Sequence, residues 1–414
     1  MAHTDYFYYG DATGSSDGLS ETNAYDGSSS STMPDGTTQT ATWENIIKRL
    51  EVGDRLFIKK GSSPLSTPNS VVSQGGLTNQ ADHNNVNTHG FVSIIGYQGN
   101  TSDNLRAEID LGGRTLRFKD FARFHNLSFT GTYGGDLVMF LYSNLISNCR
   151  FRKSSGSGSC LRIGSGSVID RCEIINDNST TSSSDCCINV NVNSQNVNIT
   201  NCYIQPTNGA VGIRNAGSEG LGSTNVFNCI INCNLDEDGA GNSDGDGIRM
   251  DDSTYERFGL IAHGNIIHNA RNAFMMGANN NYSGGGIMSN NIISSCQKVI
   301  EGTGTYPDFY FWPQNSLDAT THATSTKSIK MYNNFFYANT SNGRYLGSYN
   351  DTQLTSDPFA DVANKDFTIA TPSDFGYAQE FLQTGASGDT ITENALMYFK
   401  LQAATSAPTL VNVF

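Results

Sequence analysis

The chain is poor in charge for its length. Only 15% of its 414 residues are charged, and the net charge is −14, whereas an average soluble domain has about a quarter of its residues charged. Proteins that bind nucleic acid carry a basic stripe, and anionic membranes attract basic segments. The composition therefore argues against both partners, and we expect no nucleic acid to bind.

Long apolar runs are also absent. No stretch of about 18 or more apolar residues occurs, so the sequence predicts no transmembrane helix and no membrane insertion. Residues 1–6 lack the basic and apolar regions of a signal peptide. We therefore expect either a leader that has been removed or another route out of the cell, such as lysis, to an extracellular or virion-surface location.

A short phrase recurs eight times between residues 124 and 337. It consists of one residue, most often Asn, then Cys, Asn or Leu, then any residue, then Ile or Phe, and it repeats at intervals of 22 to 43 residues. The phrase opens at Asn126, Asn148, Arg171, Asn201, Asn228, Gly264, Asn290 and Asn333. Such a period with insertions indicates a solenoid, whose units must stack because each is too short to bury its own apolar face.

A second phrase interleaves with the first and shares its long interval between Arg214 and Arg249. It is centred on Arg162, Asn189, Arg214, Arg249 and Met275. Apolar and polar residues alternate within both phrases, and this period of two predicts strands. We therefore predict an all-β fold, a single-stranded right-handed parallel β-helix with at least two short strands in each turn.

The sequence pattern at the two ends of the chain differs from the repeated phrases in its middle. Residues 43–50 have the apolar spacing of a helix, with Thr42 placed as its N-cap, and a helix would cover the open end of the solenoid. We predict an entry region over 1–60, the β-helix over 61–377 and a C-terminal cap or attachment segment over 378–414.

Four of the nine cysteines occupy the same slot in successive turns. They are Cys149, Cys172, Cys202 and Cys229. The simplest interpretation is a buried ladder of small apolar side chains. Disulfides are the alternative, although nothing else in the chain is typical of a small stapled scaffold.

Several local phrases resemble one superfamily. Residues 53–61, the strand pattern at 92–97 followed by 106–110, and the exit phrases at 357–361 and 366–369 resemble the corresponding parts of pectate-lyase-like β-helix proteins. The resemblance spans about residues 43–377 and implies the fold. It leaves function open, because this fold hosts lyases, hydrolases, epimerases, phage tailspikes and binding proteins.

The second phrase places a row of polar residues outside the predicted coil. Its middle residues, Arg162, Asn189, Arg214 and Arg249, face outward when their neighbours face inward. The arginines could pair with nearby loop acids, namely Asp185, Asp246 and Asp251. Alternatively, they form a substrate-binding track for an anionic polymer, because guanidinium binds carboxylate or sulfate bidentately.

Acidic residues are densest around Arg249. Residues 242–248 resemble a phrase of polygalacturonases, with Ser in place of Thr, whose paired carboxylates act as acid and base. That resemblance makes Asp244, Asp246, Asp251 and Asp252 candidate catalytic residues. Asp- and Gly-rich turns could instead hold Ca²⁺, so no cofactor is certain and the metal ligands are unknown.

The central turns also resemble alginate lyases and chondroitinase-B-type lyases, which pair a lysine base with an arginine. No lysine lies between Lys153 and Lys298 in this chain. His263, His268 and Arg271 could take the roles of base and acid, or they could be outward residues without a role.

Two functions follow from these patterns. The first is a surface protein that engages glycans, similar to a phage tailspike or fibre, with polysaccharide as its partner and with a homotrimer or virion attachment through the C-terminal segment. The second is a lyase or hydrolase acting on an acidic polysaccharide, so enzyme activity stays open. Tyr310 and Trp312, in an aromatic stretch at 301–330, would be a sugar-stacking platform in either case, or part of a satellite core.

Overall fold

The computed structural model describes residues 4–13, 17–66, 91–177, 185–190, 196–207, 209–216, 223–233, 245–251, 259–276, 286–301, 329–332, 334–343 and 352–369. Three long parallel sheets organise these residues. The first sheet contains the strands Asp5–Tyr9, Arg55–Lys59, Val92–Tyr97, Ala122–His125, Leu145–Ser147, Val168–Asp170, Val197–Thr200, Thr224–Phe227, Leu260–His263, Gly286–Ser289 and Ile329–Tyr332.

The second and third sheets complete each turn of the chain. The second sheet contains Leu65–Ser66, Ala107–Asp110, Leu127–Gly131, Arg150–Lys153, Glu173–Asn176, Tyr203–Pro206, Ile230–Asn232, Ile266–His268, Ile292–Ser294, Phe335–Tyr337 and Thr352–Gln353. The third sheet contains Leu116–Asp120, Val138–Tyr142, Ser159–Ile163, Cys186–Val190, Val211–Asn215, Ile248–Met250, Asn272–Met276, Lys298–Glu301 and Ser341–Gly343.

From Ala107 to Gly343 the described strands follow one another in the order second, third and first sheet. Within these three sheets, neighbouring strands pair in parallel from one turn to the next, and the molecule is a right-handed parallel β-helix, as predicted. Inward side chains stack into one apolar core. Ile146, Ile169 and Ile199, for example, follow one another in the first sheet and are at most 1% exposed. The described residues include no helix with the length and apolar character of a membrane span.

Left-handed residues form the corner between the first and second sheets. Seven of the eight residues that open the first phrase have φ between 50° and 68°, and the eighth, Asn333, lies outside the described residues. Asn enters this conformation more readily than other residues with a side chain, because its amide can form local hydrogen bonds. This requirement explains why the phrase opens most often with Asn.

The second position of the phrase forms a column just inside this corner. Cys149, Cys172, Cys202 and Cys229 lie on successive turns, and each is at most 1% exposed. All nine cysteines of the chain are among the described residues, and each is free and buried. The predicted cysteine ladder is therefore confirmed.

Beyond Cys229 the same column consists of asparagines. Asn265, Asn291 and Asn334 are completely buried. The Asn265 amide donates to Oδ1 of Asn291, and the Asn291 amide donates to Oδ1 of Asn334, each over 3.0 Å. The Cys229 backbone N–H donates to Oδ1 of Asn265 over 2.9 Å, which joins the two parts of the column.

A short helix, Trp43–Ile47, lies at the N-terminal end of the coil. Thr42 is its N-cap and accepts a hydrogen bond from the Asn45 N–H at 3.2 Å, as predicted. Trp43 and Ile46 are at most 1% exposed and belong to the core. The helix ends before the predicted residue 50, because the Leu50 N–H bonds to the Ile47 carbonyl in a tighter turn.

The outer face of the second sheet is apolar in its C-terminal half. Ile230, Ile266, Ile292 and Phe335 follow one another in register on this face and are buried. The antiparallel strands Phe359–Asp361 and Asp366–Ile369, joined by the 3₁₀ turn Val362–Asn364, form an exit hairpin. Phe359, Phe367 and Ile369 of this hairpin pack in the same apolar cluster.

Candidate functional site

The predicted polar row lies on the outer face of the third sheet. Arg162 neighbours Asn189, Asn189 neighbours Arg214, and Arg214 neighbours Arg249 in continuous parallel register. Because paired strands lie about 4.8 Å apart, these four residues form a line across four turns, called here the third-sheet row. The arginine side chains are 31%, 19% and 7% exposed from Arg162 to Arg249, so the row becomes more buried along its length.

Each arginine of the row faces a carboxylate. Nη1 of Arg162 lies 3.3 Å from Oδ2 of Asp136. Asp251 joins two turns, with Oδ2 at 2.5 Å from Nε of Arg214 and Oδ1 at 2.6 Å from Nε of Arg249. Two of the acids that the sequence offered as arginine partners, Asp246 and Asp251, thus pair with the row. The third, Asp185, accepts a hydrogen bond from the Gly158 N–H at 2.5 Å.

Asp246 lies beside the buried end of the row. It is 2% exposed, its Oδ2 is 3.7 Å from Nη1 of Arg249, and its Oδ1 accepts a hydrogen bond from the Asn272 amide at 2.7 Å. Burial raises the pKa of Asp246 above its usual range, although the Asn272 hydrogen bond and the Arg249 and Arg271 charges oppose this shift. Asp246 and Asp251 therefore share one guanidinium in different surroundings.

Three buried polar atoms in this region have no hydrogen-bond partner. They are Oδ1 of Asn189, Nη1 of Arg249 and Oδ1 of Asn272. The orientation of Asn272 is set by its neighbour, because its amide nitrogen faces the Asp246 carboxylate, which can only accept. Unpaired buried polar atoms are rare in folded proteins and call for an explanation.

His263 and Arg271 lie on different sides of the coil. His263 is exposed on the first sheet, and its Nδ1 lies 2.9 Å from Oγ of Ser289. Arg271, by contrast, precedes a strand of the third sheet, and its N–H donates to the Gly245 carbonyl at 3.0 Å. Arg271 thus lies next to Asp246, whereas His263 lies on a different sheet from Asp246 and Asp251.

His268, the other histidine considered as a base, belongs to the second sheet. Its Nδ1 lies 2.8 Å from Oγ of Ser294. Asp244, Asp252, Tyr310 and Trp312 lie outside the described residues, so their predicted roles stay predictions.

Lys153, the last lysine before the central turns, is held inside the fold by hydrogen bonds. Its side chain is completely buried, and Nζ donates to the carbonyls of Gly135, at 2.5 Å, and Ser157. Burial lowers the pKa of Lys153. The lysine ties together the two loops that lead into the third-sheet strands Val138–Tyr142 and Ser159–Ile163.

The described residues do not offer a metal site. Within those ranges, no three His, Cys, Asp or Glu side chains come together in a way that could hold a metal ion. Arg249 lies against both Asp246 and Asp251, so a cation placed between these carboxylates would meet a guanidinium. The expectation of Ca²⁺ stays a prediction for the acids of the other segments.

Sequence reasoning missed two members of this network. Asp136 lies two residues before the third-sheet strand Val138–Tyr142, and Asn272 opens the strand Asn272–Met276. They contact Arg162 and Asp246 respectively. The signal was their position, because each lies at or just before the start of a third-sheet strand that continues the row beyond one of its ends, through Met139 or Met275.

No protein-family model matches the sequence, and no curated protein matches it either. Among solved structures, the chain is similar to pectate lyase Pel9A, with a TM-score of 0.52 and 13% sequence identity over 87% of this chain and 83% of that chain. The fold is therefore that of a pectate-lyase-like parallel β-helix, as the sequence phrases predicted. At this identity, the likeness concerns the fold alone.

Two further similarities are to tailspike proteins. Both are double mutants of the tailspike of E. coli bacteriophage HK620, at 12% identity, and one is in complex with a pentasaccharide. Their TM-scores are 0.41 and 0.40, over 74% and 70% of this chain and 53% and 55% of the tailspike chains.

Proposed function

We propose that this chain is a glycan-engaging surface protein whose third-sheet row binds an extended saccharide. The observation that carries the proposal is the unbroken register of Arg162, Asn189, Arg214 and Arg249 on one outer face. A polymer of repeating units can meet a similar polar side chain on each turn of such a face. Arginine and asparagine side chains suit this task, because their planar groups can form paired hydrogen bonds.

The position of the polar insertions in the sequence also supports the outer face of the third sheet as the binding surface. Three of the polar, Gly-, Asn- or Ser-rich insertions, at 176–185, 232–247 and 277–286, adjoin third-sheet strands in the sequence. In solenoid proteins, insertions often gather around the binding face.

The finer role we propose is that of a virion protein similar to a phage tailspike or fibre. The polar insertions and the change of pattern after residue 377 favour this role over that of an enzyme. It implies an extracellular or virion-surface location, a polysaccharide partner, and assembly or attachment through residues 378–414.

The alternative is an enzyme that cleaves an acidic polysaccharide. Asp246 and Asp251 favour it, because both contact Arg249 and burial raises the pKa of Asp246, as for a carboxyl group that acts as an acid. Both side chains are at most 5% exposed and engaged in ion pairs, which favours a structural role.

A binding experiment tests the proposal. Wild-type protein and the variants Asn189→Ala and Arg214→Ala are applied to panels of bacterial capsule polysaccharides, alginate, pectate and chondroitin, with and without Ca²⁺. We expect each variant to weaken glycan binding about tenfold or more, equivalent to about 1.4 kcal/mol, with an unchanged circular dichroism spectrum.

Arg152→Ala is the matched control. Arg152 is paired with Asp177 over 2.6 Å on the second sheet, away from the row, so its removal should leave binding unchanged. Normal binding by both row variants would contradict the proposal. New reducing ends, or products that absorb in the ultraviolet, would identify the chain as an enzyme.

A further inference from the structure

We infer that the third-sheet row recognises a neutral, hydroxyl-rich saccharide rather than a uronate or a sulfated polymer. The inference rests on the proposed function and specifies the chemical class of its ligand. It comes from how the arginines of the row are already paired and from which hydrogen-bonding groups near them are left over.

The positive charges of the row are compensated within the protein. Arg162 has Asp136 at 3.3 Å, Arg214 has Asp251 at 2.5 Å, and Arg249 has Asp251 at 2.6 Å. Asp246 lies a further 3.7 Å from Arg249, so three arginines face three carboxylates. A ligand carboxylate would have to compete with these internal partners for the same guanidinium groups.

Burial makes this competition unfavourable. The side chains of Arg249, Asp251 and Asp246 are 7%, 5% and 2% exposed. Separating one partner from a buried ion pair leaves an uncompensated charge away from water, which is strongly destabilising. An anionic group that displaced Asp251 would create that situation, whereas an uncharged ligand leaves the ion pairs intact.

The unpaired atoms point to the same ligand class. At the buried end of the row, Nη1 of Arg249 is a donor without an acceptor, and Oδ1 of Asn272 is an acceptor without a donor. Two turns before Arg249, Oδ1 of Asn189 is a further acceptor without a donor. Carboxylates and sulfates accept hydrogen bonds but have no hydrogen to donate to the two asparagine oxygens. A hydroxyl group both donates and accepts, so saccharide hydroxyls can complement all three atoms. The internal ion pairs then favour a saccharide that carries these hydroxyls without an added charge.

The test compares ligand class and salt dependence on the intact protein. Binding of neutral polysaccharides (dextran, mannan and galactomannan) and of uronate polymers (alginate and pectate) is measured in about 50 mM and about 500 mM NaCl. Because salt screens interactions between charges, we expect binding of a neutral polymer to change by less than about twofold, with uronates bound at least about tenfold more weakly. Preferential binding of uronates, with affinity that falls steeply as salt rises, would overturn the inference.

A charge variant makes the test sharper. Asp251→Asn removes the shared partner of Arg214 and Arg249, so the ratio of uronate to neutral affinity should rise by about tenfold. Asp177→Asn, which makes the same charge change on the second sheet, should leave that ratio unaltered. An unchanged ratio in folded Asp251→Asn would contradict the inference, and if this variant does not fold, the wild-type comparison decides it. Failure of every polymer to bind would instead overturn the proposed function itself.

Discussion

His268 lies between the second sheet and the exit hairpin. Its Nδ1 is 2.8 Å from Oγ of Ser294, and its ring meets those of Phe359 and Phe367 edge-on, with centroids 6.3 Å and 5.7 Å away. Burial lowers the pKa of His268 from its ordinary 6.5 to about 4, although the nearby charge of Asp357 opposes the shift. The imidazole is therefore neutral in the folded protein at neutral pH.

Stability should fall as the pH drops from about 6.5 to about 4. In this range the unfolded chain takes up a proton at residue 268 while the folded chain does not, so acid favours unfolding. The loss attributable to His268 should approach about 3 kcal/mol at pH 4. Urea unfolding at a series of pH values measures it.

Two variants isolate this effect from other titrating groups. His268→Asn should remove the His268 contribution to the pH dependence. His263→Asn changes an exposed histidine on another sheet and should preserve that dependence. An identical pH profile for His268→Asn and the wild type would show that another group is responsible.

At the scale of strands and corners, much of the fold could be predicted from residues that recur at the same place in each turn. The Asn that opens the first phrase marks the left-handed corner, and the residue after it marks the column from Cys149 to Asn334. The first-sheet strand of each turn was harder to predict. Strands such as Val168–Asp170 and Val197–Thr200 directly precede the corner residue and share no recurring phrase.

The outer face of the second sheet was missed for a related reason. The first phrase treats its third position as variable, which suits an exposed residue. From Ile230 onward, however, this position is apolar, in the pairs Ile230-Ile231, Ile266-Ile267, Ile292-Ile293 and Phe335-Phe336. A doublet of apolar residues in a short strand indicates burial on both faces, and here the exit hairpin provides the second cover.

The exit hairpin should detach when its central aromatic residue is removed. Phe367 is completely buried and lies 5.2 Å, between ring centroids, from Phe359. Phe367→Ala should destabilise the hairpin by about 3 kcal/mol, which corresponds to roughly 100-fold faster amide exchange over residues 359–369. Exchange in the third sheet should stay unchanged, because the described strands of that sheet contribute no residue to the hairpin cluster.

Ala360→Ser provides the control for this measurement. Ala360 is exposed in the other strand of the hairpin, Phe359–Asp361, so its substitution should not alter exchange in the hairpin. Uniformly faster exchange throughout the coil in Phe367→Ala would instead mean that the hairpin and the coil unfold together.

The site was less predictable from the sequence than the fold. The row of Arg162, Asn189, Arg214 and Arg249 follows from strand periodicity alone. The pairing of Asp251 with two arginines on different turns depends on how the turns stack, which no local pattern records. The proposed region boundaries, the trimer and the role of residues 378–414 stay predictions, since residues 370–414 lie outside the described ranges.

Across the whole molecule, the turns stack so closely that some backbone positions exclude any side chain. A Cβ added to Gly164 would lie 1.7 Å from the carbonyl oxygen of Leu141 on the preceding turn. Gly164→Ala should therefore push two turns apart and lower the free energy of unfolding by about 3 kcal/mol.

Gly134→Ala is the matched control, because a Cβ there would meet no atom within 4 Å. Its effect should stay within about 0.5 kcal/mol. Thermal or urea unfolding compares the two variants. Equal stability of both would show that adjacent turns can separate without loss.

The interior column changes from thiol to amide side chains beyond Cys229, so its two halves differ in the substitutions that they can accept. Sulfur contacts depend little on direction, so the half containing Cys149 to Cys229 can accept other small side chains at those positions. The half from Asn265 to Asn334 is a chain of directional hydrogen bonds in which each amide orients the next. Addition of a complete turn would extend this chain of hydrogen bonds, whereas a shift of the strand register by one residue would interrupt it. This half therefore fixes the register of the whole coil.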